Sequence, residues 1–297
     1  MSGGLDTSII ANVIAERARP KCFTVFFPLA EAPDLFYARL IARKLRVDWE
    51  VLKLTPELLA DRLTDVIRVL KTFDPMEVRN SVTVYHGLMA ARDQGFSSVM
   101  TGDAADELFA GYSFSFNLPP SDLLKRLRDL WGVMNFSSRP MADDLGISAS
   151  LPYLDKSVVA YADTLMPRQL VGTRNERRYG KLILRVAFEG TIGKRSAWRV
   201  KTPVEFGSGT TLLPKYYAGK IKDDTFNQGV NEASSRDGVR IRDKEHLEYY
   251  RLFRTMFSPP SETAHADQRC PCCGADVRRN SSFCVTCGAY PIVPVAA

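Results

Sequence analysis

Ser2-Gly3-Gly4-Leu5-Asp6-Thr7-Ser8 is the first segment whose residue types could do chemistry. Two glycines let a backbone come close to a ligand and adopt positive φ. Ser2, Thr7 and Ser8 supply hydroxyl donors. A helical pattern starts directly after, so free N–H groups and the positive end of a helix dipole face the same space. That combination suits an anion, and pyrophosphate best. Asp6 would repel a phosphate unless a cation lay between them, which points to Mg2+ held partly by Asp6. The segment is not a Walker A loop, which is longer and carries a Lys before its Ser/Thr. For Ser-Gly-Gly by itself, a glycine-rich turn with hydroxyl capping of the helix is the plainer account.

Thr101–Tyr112 (TGDAADELFAGY) is the second such segment and follows a strand-like run. Asp103, Asp106 and Glu107 crowd into five positions, with small Gly102, Ala104 and Ala105 keeping the turn open. Packed carboxylates repel one another and attract a divalent cation. Taken alone, the segment reads equally well as a strand-to-helix turn whose Asp residues cap the helix.

The third is cysteine-rich. Five of the six cysteines lie between 270 and 287, and Cys270, Cys273, Cys284 and Cys287 form CxxC-x10-CxxC. Each pair is followed by Gly, which permits a tight knuckle turn, and four thiolates at this spacing suit tetrahedral Zn2+. Cys272 is the spare. So small a module needs its metal to fold. Arg278 and Arg279 between the knuckles read as a solvated turn, and Cys22, in an apolar run, as a core residue.

The elements that must position these motifs alternate along the first ~110 residues, on the usual periodicity rules. Ile9, Ile10, Val13 and Ile14 have helical spacing. Residues 22–27 (CFTVFF) form a continuous β-rich run suited to a buried parallel strand. Residues 34–46 predict a helix with Leu35, Ala38, Ile41, Ala42 and Leu45 on one face, and 47–54 a strand. Helices over 56–70 and 81–94 and a strand over 97–101 follow. The alternation predicts an α/β fold with a doubly wound parallel sheet. Residues 121–257 are more helical, with Leu123, Leu124, Leu127 and Leu130 in one stripe and further helices over 179–188 and 244–257. Residues 258–268 (SPPSETAHADQ) have linker composition.

Together the motifs resemble the asparagine synthetase family, whose synthetase domain has the PP-loop ATP pyrophosphatase fold. The resemblance runs through SGGLDTS, Asp34 in APDLFYAR, TGDAADELFAGY, Leu151–Asp155, Lys181–Arg185, Arg199–Lys201 and Glu205–Gly209, covering roughly residues 2–210 in order. It implies an α/β, doubly wound parallel sheet with a helical C-terminal part, to which the small zinc ribbon is added. The division is 1–257 for the ATP-pyrophosphatase domain, 258–268 for the linker and 269–292 for the ribbon. It also implies an ATP-dependent, AMP-forming carbon–nitrogen ligase: a carboxylate, aspartate in the family, attacks the α-phosphorus of ATP, and ammonia then displaces AMP.

By resemblance, Ser2, Gly3, Gly4, Asp6, Thr7, Ser8, Asp34 and Gly102 bind the nucleotide. Asp6 and Asp106 hold Mg2+, and Lys201, Asp103 and Glu107 are catalytic. The family often has Glu where Asp103 stands, and Glu and Arg where Ser148 and Ser150 stand, so the substrate is less defined than the ATP chemistry. No N-terminal glutaminase segment is seen, so ammonia is expected from solution or from a separate glutaminase subunit. Only Met1 precedes the phosphate loop, and the first core strand is expected upstream of it.

The 297 residues carry a formal net charge of +6. That mild excess suits ATP and other anions, and nucleic acid is the lesser expectation. No run of 18 apolar residues exists and no signal peptide is seen, so a cytoplasmic protein without a membrane span is expected. Two other readings remain open: a PP-loop ligase acting on another carboxylate or on RNA, and a non-catalytic nucleotide-binding regulator.

Overall fold

The computed structural model describes residues 1–279 and 281–292, so Asn280, inside the range assigned to the ribbon, lies outside the described residues. In chain order the elements begin with α1 (Leu5–Ala15), β1 (Lys21–Phe26), α2 (Pro33–Leu45), β2 (Asp48–Lys53), α3 (Pro56–Leu70), α4 (Pro75–Asp93) and β3 (Ser98–Met100). There follow α5 (Ala105–Leu108), α6 (Pro120–Val133), α7 (Ser138–Asp144), β4 (Ser148–Ser150), α8 (Lys156–Asp163), α9 (Pro167–Leu170), β5 (Gly172–Arg174) and β6 (Arg177–Tyr179). The last are α10 (Leu182–Ile192), α11 (Lys194–Ala197), α12 (Val204–Ser208), α13 (Leu213–Lys220), α14 (Asp223–Asp237) and α15 (Lys244–Arg254). The fold is mixed α/β and mostly helical, with small parallel sheets. No helix among the described residues is long and apolar enough to cross a membrane.

The chain divides into two compact units. The first comprises Met1–Phe26, Ala32–Lys53 and Gly87–Ser208. In it β1 pairs with β2 in parallel, from Lys21↔Asp48 to Phe26↔Lys53, with α2 as the crossover. Pro33 opens α2, where a missing N–H costs nothing. The helix buries Ala38, Ile41 and Ala42, the face its 3.6 periodicity indicates, and ends at Arg46 in a left-handed conformation. A second parallel pair, β3–β4, runs from Ser98↔Ser148 to Met100↔Ser150. Both pairs realise the parallel pairing expected of βαβ chain alternation, as two short two-stranded sheets. The Met1 amino group donates to the Phe23 carbonyl, and the Thr24 hydroxyl donates to the Met1 carbonyl.

Helix α1 buries Leu5 and Ile9 against Ile41, Ile192 and Ala197. A second cluster packs α5 and its flanks (Ala104, Leu108, Phe109) on Leu123 and Leu127 of α6, Tyr153 and Leu170. These two cores hold the two acidic segments from behind. The helix expected over 179–188 begins later, at Leu182. Tyr179 instead closes the antiparallel hairpin β5–β6, whose two loop residues, Asn175 and Glu176, both have positive φ. A two-residue loop of that kind matches the right-handed strand twist.

The second unit comprises Phe27–Glu31, Leu54–His86 and the chain from Gly209 onward. Helix α3 packs its Leu59, Leu63, Val66 and Ile67 stripe inward, and α15 lies against α3 and α13. Phe73, fully buried, meets the rings of His246, Tyr250 and Phe253 at 5.0–5.3 Å between centroids. The helix expected over 81–94 starts six residues earlier, because Asp74 caps it (Met76 N–H to Asp74 Oδ1, 3.1 Å) and Pro75 opens it. Residues 258–268 are more ordered than their composition suggests. They hold a single 3-10 turn at Pro260–Glu262, Pro260 and Ala264 are buried, and the amides of His265 and Ala266 donate to Asp276.

Candidate active site

Everything in this site belongs to the first unit. The loop Ser2–Gly4 leads straight into α1. Its polar groups close on themselves: Gly4 N–H donates to Ser2 Oγ (3.2 Å), and the Ser2 and Thr7 hydroxyls lie 3.2 Å apart. Gly3 has φ +67° and rests on the backbone of Tyr37 and Ala38. Ser8 Oγ is buried with no partner among the described residues. From below, the Tyr153 hydroxyl donates to the Asp6 carbonyl at 3.1 Å.

The acidic turn meets this loop at Gly102. A Cβ there would lie 3.1 Å from Asp6 Cβ and 3.2 Å from Thr7 Cγ2, so the close approach of the two segments depends on the glycine. Asp6 and Asp106 then face one cation. Lys181 Nζ lies 2.6 Å from Asp6 Oδ2 and 2.9 Å from Asp106 Oδ1, and Lys201 Nζ lies 3.0 Å from Asp106 Oδ2. Gly111 is obligatory for this cluster, because a Cβ would fall 1.8 Å from Asp106 Oδ1 and 2.5 Å from Lys181 Cε.

Burial decides the electrostatics. It pushes the Asp6 carboxyl up, against the pull of Lys181. Burial also raises Asp106, but Lys181 and Lys201 outweigh it and hold that carboxyl below its ordinary value. For Lys181 burial works against the charge, yet Asp106 and Asp6 win and its pKa is raised. Two carboxylates and two ammonium groups thus compensate one another. Lys181, with its side chain only 3% exposed, is the member that could not be buried alone.

The other acidic residues are turned elsewhere. Glu107 accepts from the Tyr112 hydroxyl at 2.6 Å, and burial raises its pKa. Asp103 accepts from Thr101 Oγ1 at 2.9 Å and Ser138 Oγ at 2.5 Å, which ties the turn to the start of α7. Asp34, at the start of α2, is buried. It takes the Arg199 guanidinium at 2.5 Å, and Arg199 Nη1 donates to the Ser2 carbonyl at 3.2 Å, so Asp34 acts on the loop through Arg199.

Residues 1–145 match the family model "Asparagine synthase". Over that stretch the chain is similar to asparagine synthases. Across 300 residues it is 25% identical to a probable glutamine-hydrolysing asparagine synthetase of Dictyostelium discoideum, over 91% of this chain and 53% of that protein. A probable glutamine-hydrolysing asparagine synthetase of Schizosaccharomyces pombe is 29% identical over 72% of this chain and 43% of its own length. Asparagine synthetase B of Escherichia coli K12, also glutamine-hydrolysing, is 25% identical over 88% of this chain and 50% of its own. The chain spans about half the length of the curated relatives it matches.

The asparagine synthase match contains both acidic segments, yet both lysines of the charge cluster come from later in the chain. Sequence reasoning places Lys181 only within the KLILR run and gives it no role. A basic residue in an apolar helix start is the one signal that points to it. Arg185, one turn on, escapes in the same way. Buried, it donates to the carbonyls of Gly180 (2.8 Å), Ala197 (2.7 Å) and Arg199 (2.9 Å), tying the start of the Lys181 helix to the stretch of chain that leads to Lys201. Tyr153, whose hydroxyl donates to the Asp6 carbonyl, is a third.

The cysteine cluster lies in the second unit. Sγ atoms of Cys270, Cys273, Cys284 and Cys287 all lie within 4.8 Å of one another, with Cys270–Cys287 at 3.7 Å and Cys273–Cys284 at 3.8 Å. A tetrahedral ion with Zn–S bonds of about 2.3 Å has an S–S edge of roughly 3.8 Å, so the donor set fits zinc in both type and spacing. Cys272 stays outside the cluster, half-buried. Each knuckle closes with a Gly N–H on the first cysteine's carbonyl, Gly274 to Cys270 and Gly288 to Cys284, both 2.8 Å.

Proposed function

We propose that this chain performs ATP-dependent, AMP-forming amide synthesis. A carboxylate oxygen, that of the aspartate side chain, attacks the α-phosphorus of ATP. The bond to the bridging oxygen breaks and pyrophosphate leaves. Ammonia then attacks the acyl carbon of the adenylate and expels AMP, and the nitrogen loses a proton as the amide forms. The observation that carries this reading is the convergence of Asp6, Asp106, Lys181 and Lys201 beside a glycine-hydroxyl loop at the start of α1.

In this reading the loop residues Ser2, Gly3, Gly4, Thr7 and Ser8 receive the leaving pyrophosphate through hydroxyls and helix N–H groups. The buried, unpartnered Ser8 hydroxyl suits that role. Asp6 and Asp106 offer hard oxygen donors to Mg2+, and a lysine already occupying the space between them supports a preference for positive charge there. The metal would offset phosphate charge. Lys201, the more exposed lysine, stabilises negative charge on the reacting phosphate, and Lys181 bridges the two carboxylates and offsets their repulsion. Asp103 and Glu107 shape the substrate side of the turn. Asp34 sets the loop through Arg199. Zn2+ in the four-cysteine cluster is part of the same proposal, as is a cytoplasmic setting, where thiols stay reduced. Ammonia reaches the site free or from a separate glutaminase.

The test is pyrophosphate release from ATP·Mg2+ with a panel of amino acids plus ammonium. Aspartate should stimulate release and yield asparagine and AMP, and Asp6→Ala should abolish it. Failure of every carboxylate to stimulate release would overturn the reading.

A further inference from the structure

The zinc knuckles are bound to the rest of the second unit at positions that do not include their cysteine ligands' side chains. In the second knuckle, the Phe73 amide donates to the Thr286 carbonyl at 2.8 Å. The Thr72 hydroxyl reaches the carbonyls of Val285 (2.7 Å) and Thr286 (3.1 Å). Arg242 donates to the Cys287 carbonyl at 2.8 Å and the Gly288 carbonyl at 2.9 Å. A Cβ on Gly288 would fall 2.1 Å from Asp74 Oδ1, so the knuckle sits directly on the residue that caps α4. In the first knuckle, the Arg240 amide donates to the Cys272 carbonyl at 2.7 Å. Thr72 and Phe73 lie in the short link between the end of α3 and the Asp74 cap. Phe73 is also the ring around which His246, Tyr250 and Phe253 of α15 gather.

We propose that the metal of the four-cysteine cluster is a structural pin, which fixes the α3–α4 junction and through Phe73 the aromatic core of the second unit. The inference rests on the zinc assignment above. A cluster of about twenty residues with four thiols has little apolar core of its own, so without metal its carbonyls are not held in place. The backbone amides of Phe73 and Arg240 would then lose their acceptors. By reciprocity, a group that steadies the knuckle must tighten metal binding. Thr72 is such a group. It touches no cysteine sulfur, and its hydroxyl holds two knuckle carbonyls.

Metal analysis and hydrogen exchange on the full chain test this. About one Zn2+ per chain is expected, retained in Cys272→Ser and lost in Cys273→Ser. Removing zinc with a chelator should deprotect the amides of Phe73 and Arg240, while those of α1 keep their protection. Thr72→Val should weaken zinc roughly two- to tenfold in chelator competition, the effect of one or two lost hydrogen bonds. One bound zinc with unchanged exchange at Phe73 and unchanged affinity in Thr72→Val would overturn the pin and leave the zinc assignment standing. Absence of bound metal would overturn both.

Discussion

Lys181 Nζ lies 2.7 and 2.6 Å from the two carboxylate oxygens of Asp6, a residue 175 positions earlier in the chain. The same ammonium group is 2.9 Å from Asp106. One buried cation therefore joins the phosphate-type loop, the acidic turn and the start of α10.

Removing that cation should cost more than activity. Lys181→Met leaves Asp6 and Asp106 buried and facing one another. The expected loss is about 3–5 kcal/mol, as for any buried ion pair broken on one side. Urea unfolding of the variant measures it, and a midpoint equal to that of the parent would disprove the role.

Lys201→Met should separate from this. Its side chain is 35% exposed, and Asp106 keeps Lys181 as a partner. Stability should change by under about 1 kcal/mol. Pyrophosphate release should fall by roughly 10²–10³-fold, the usual cost of one charge-stabilising donor. Parallel denaturation and steady-state assays distinguish the two lysines.

Gly111→Ala and Gly132→Ala should have opposite signs. An added methyl at 111 collides with Asp106 and Lys181, whereas nothing lies within 4 Å of one at 132, inside α6. The first variant should lose activity and stability together. The second should gain about 0.5–1 kcal/mol from helix propensity. Thermal melting of both checks the contrast.

In the second unit, Glu245 gives a pH dependence. Burial raises its pKa from 4.5 to about 7, against the pull of Arg79 and the Tyr249 hydroxyl, with Asp243 and Asp74 adding to the rise. A folded-state value above the unfolded one means stability present below about 4.5 and lost as pH rises through about 7. Next to it, burial and then Arg242 push His246 down to about 4, so its contribution is lost as pH falls and partly masks the Glu245 effect. The informative quantity is the difference between Glu245→Gln and the parent. It should favour the variant increasingly from pH 5 to 8, by on the order of 2–3 kcal/mol. A difference constant over that range would refute the assignment.

Local chemistry is legible in the amino-acid sequence by itself. The spacing of SGGLDTS and of the paired cysteines brings each set of polar or thiol donors together, since those donors come from residues a few positions apart. The periodicity of 34–45 and 56–70 names the helices, because each buries one continuous stripe. Contacts made over long sequence separation are not legible there. Lys181 meets Asp6 only because α1 and α10 pack together, Arg199 pairs with Asp34 from 165 positions away, and Asp103 takes the Ser138 hydroxyl. The four-cysteine segment follows a stretch with linker composition, yet its backbone carbonyls bond to Thr72, Phe73 and Arg242, residues 40 or more positions from those they meet. Residue type and short spacing set which chemistry each motif can do. Which charge faces which is decided by burial, because an ion withdrawn from water must find its counter-ion wherever the packed chain places one.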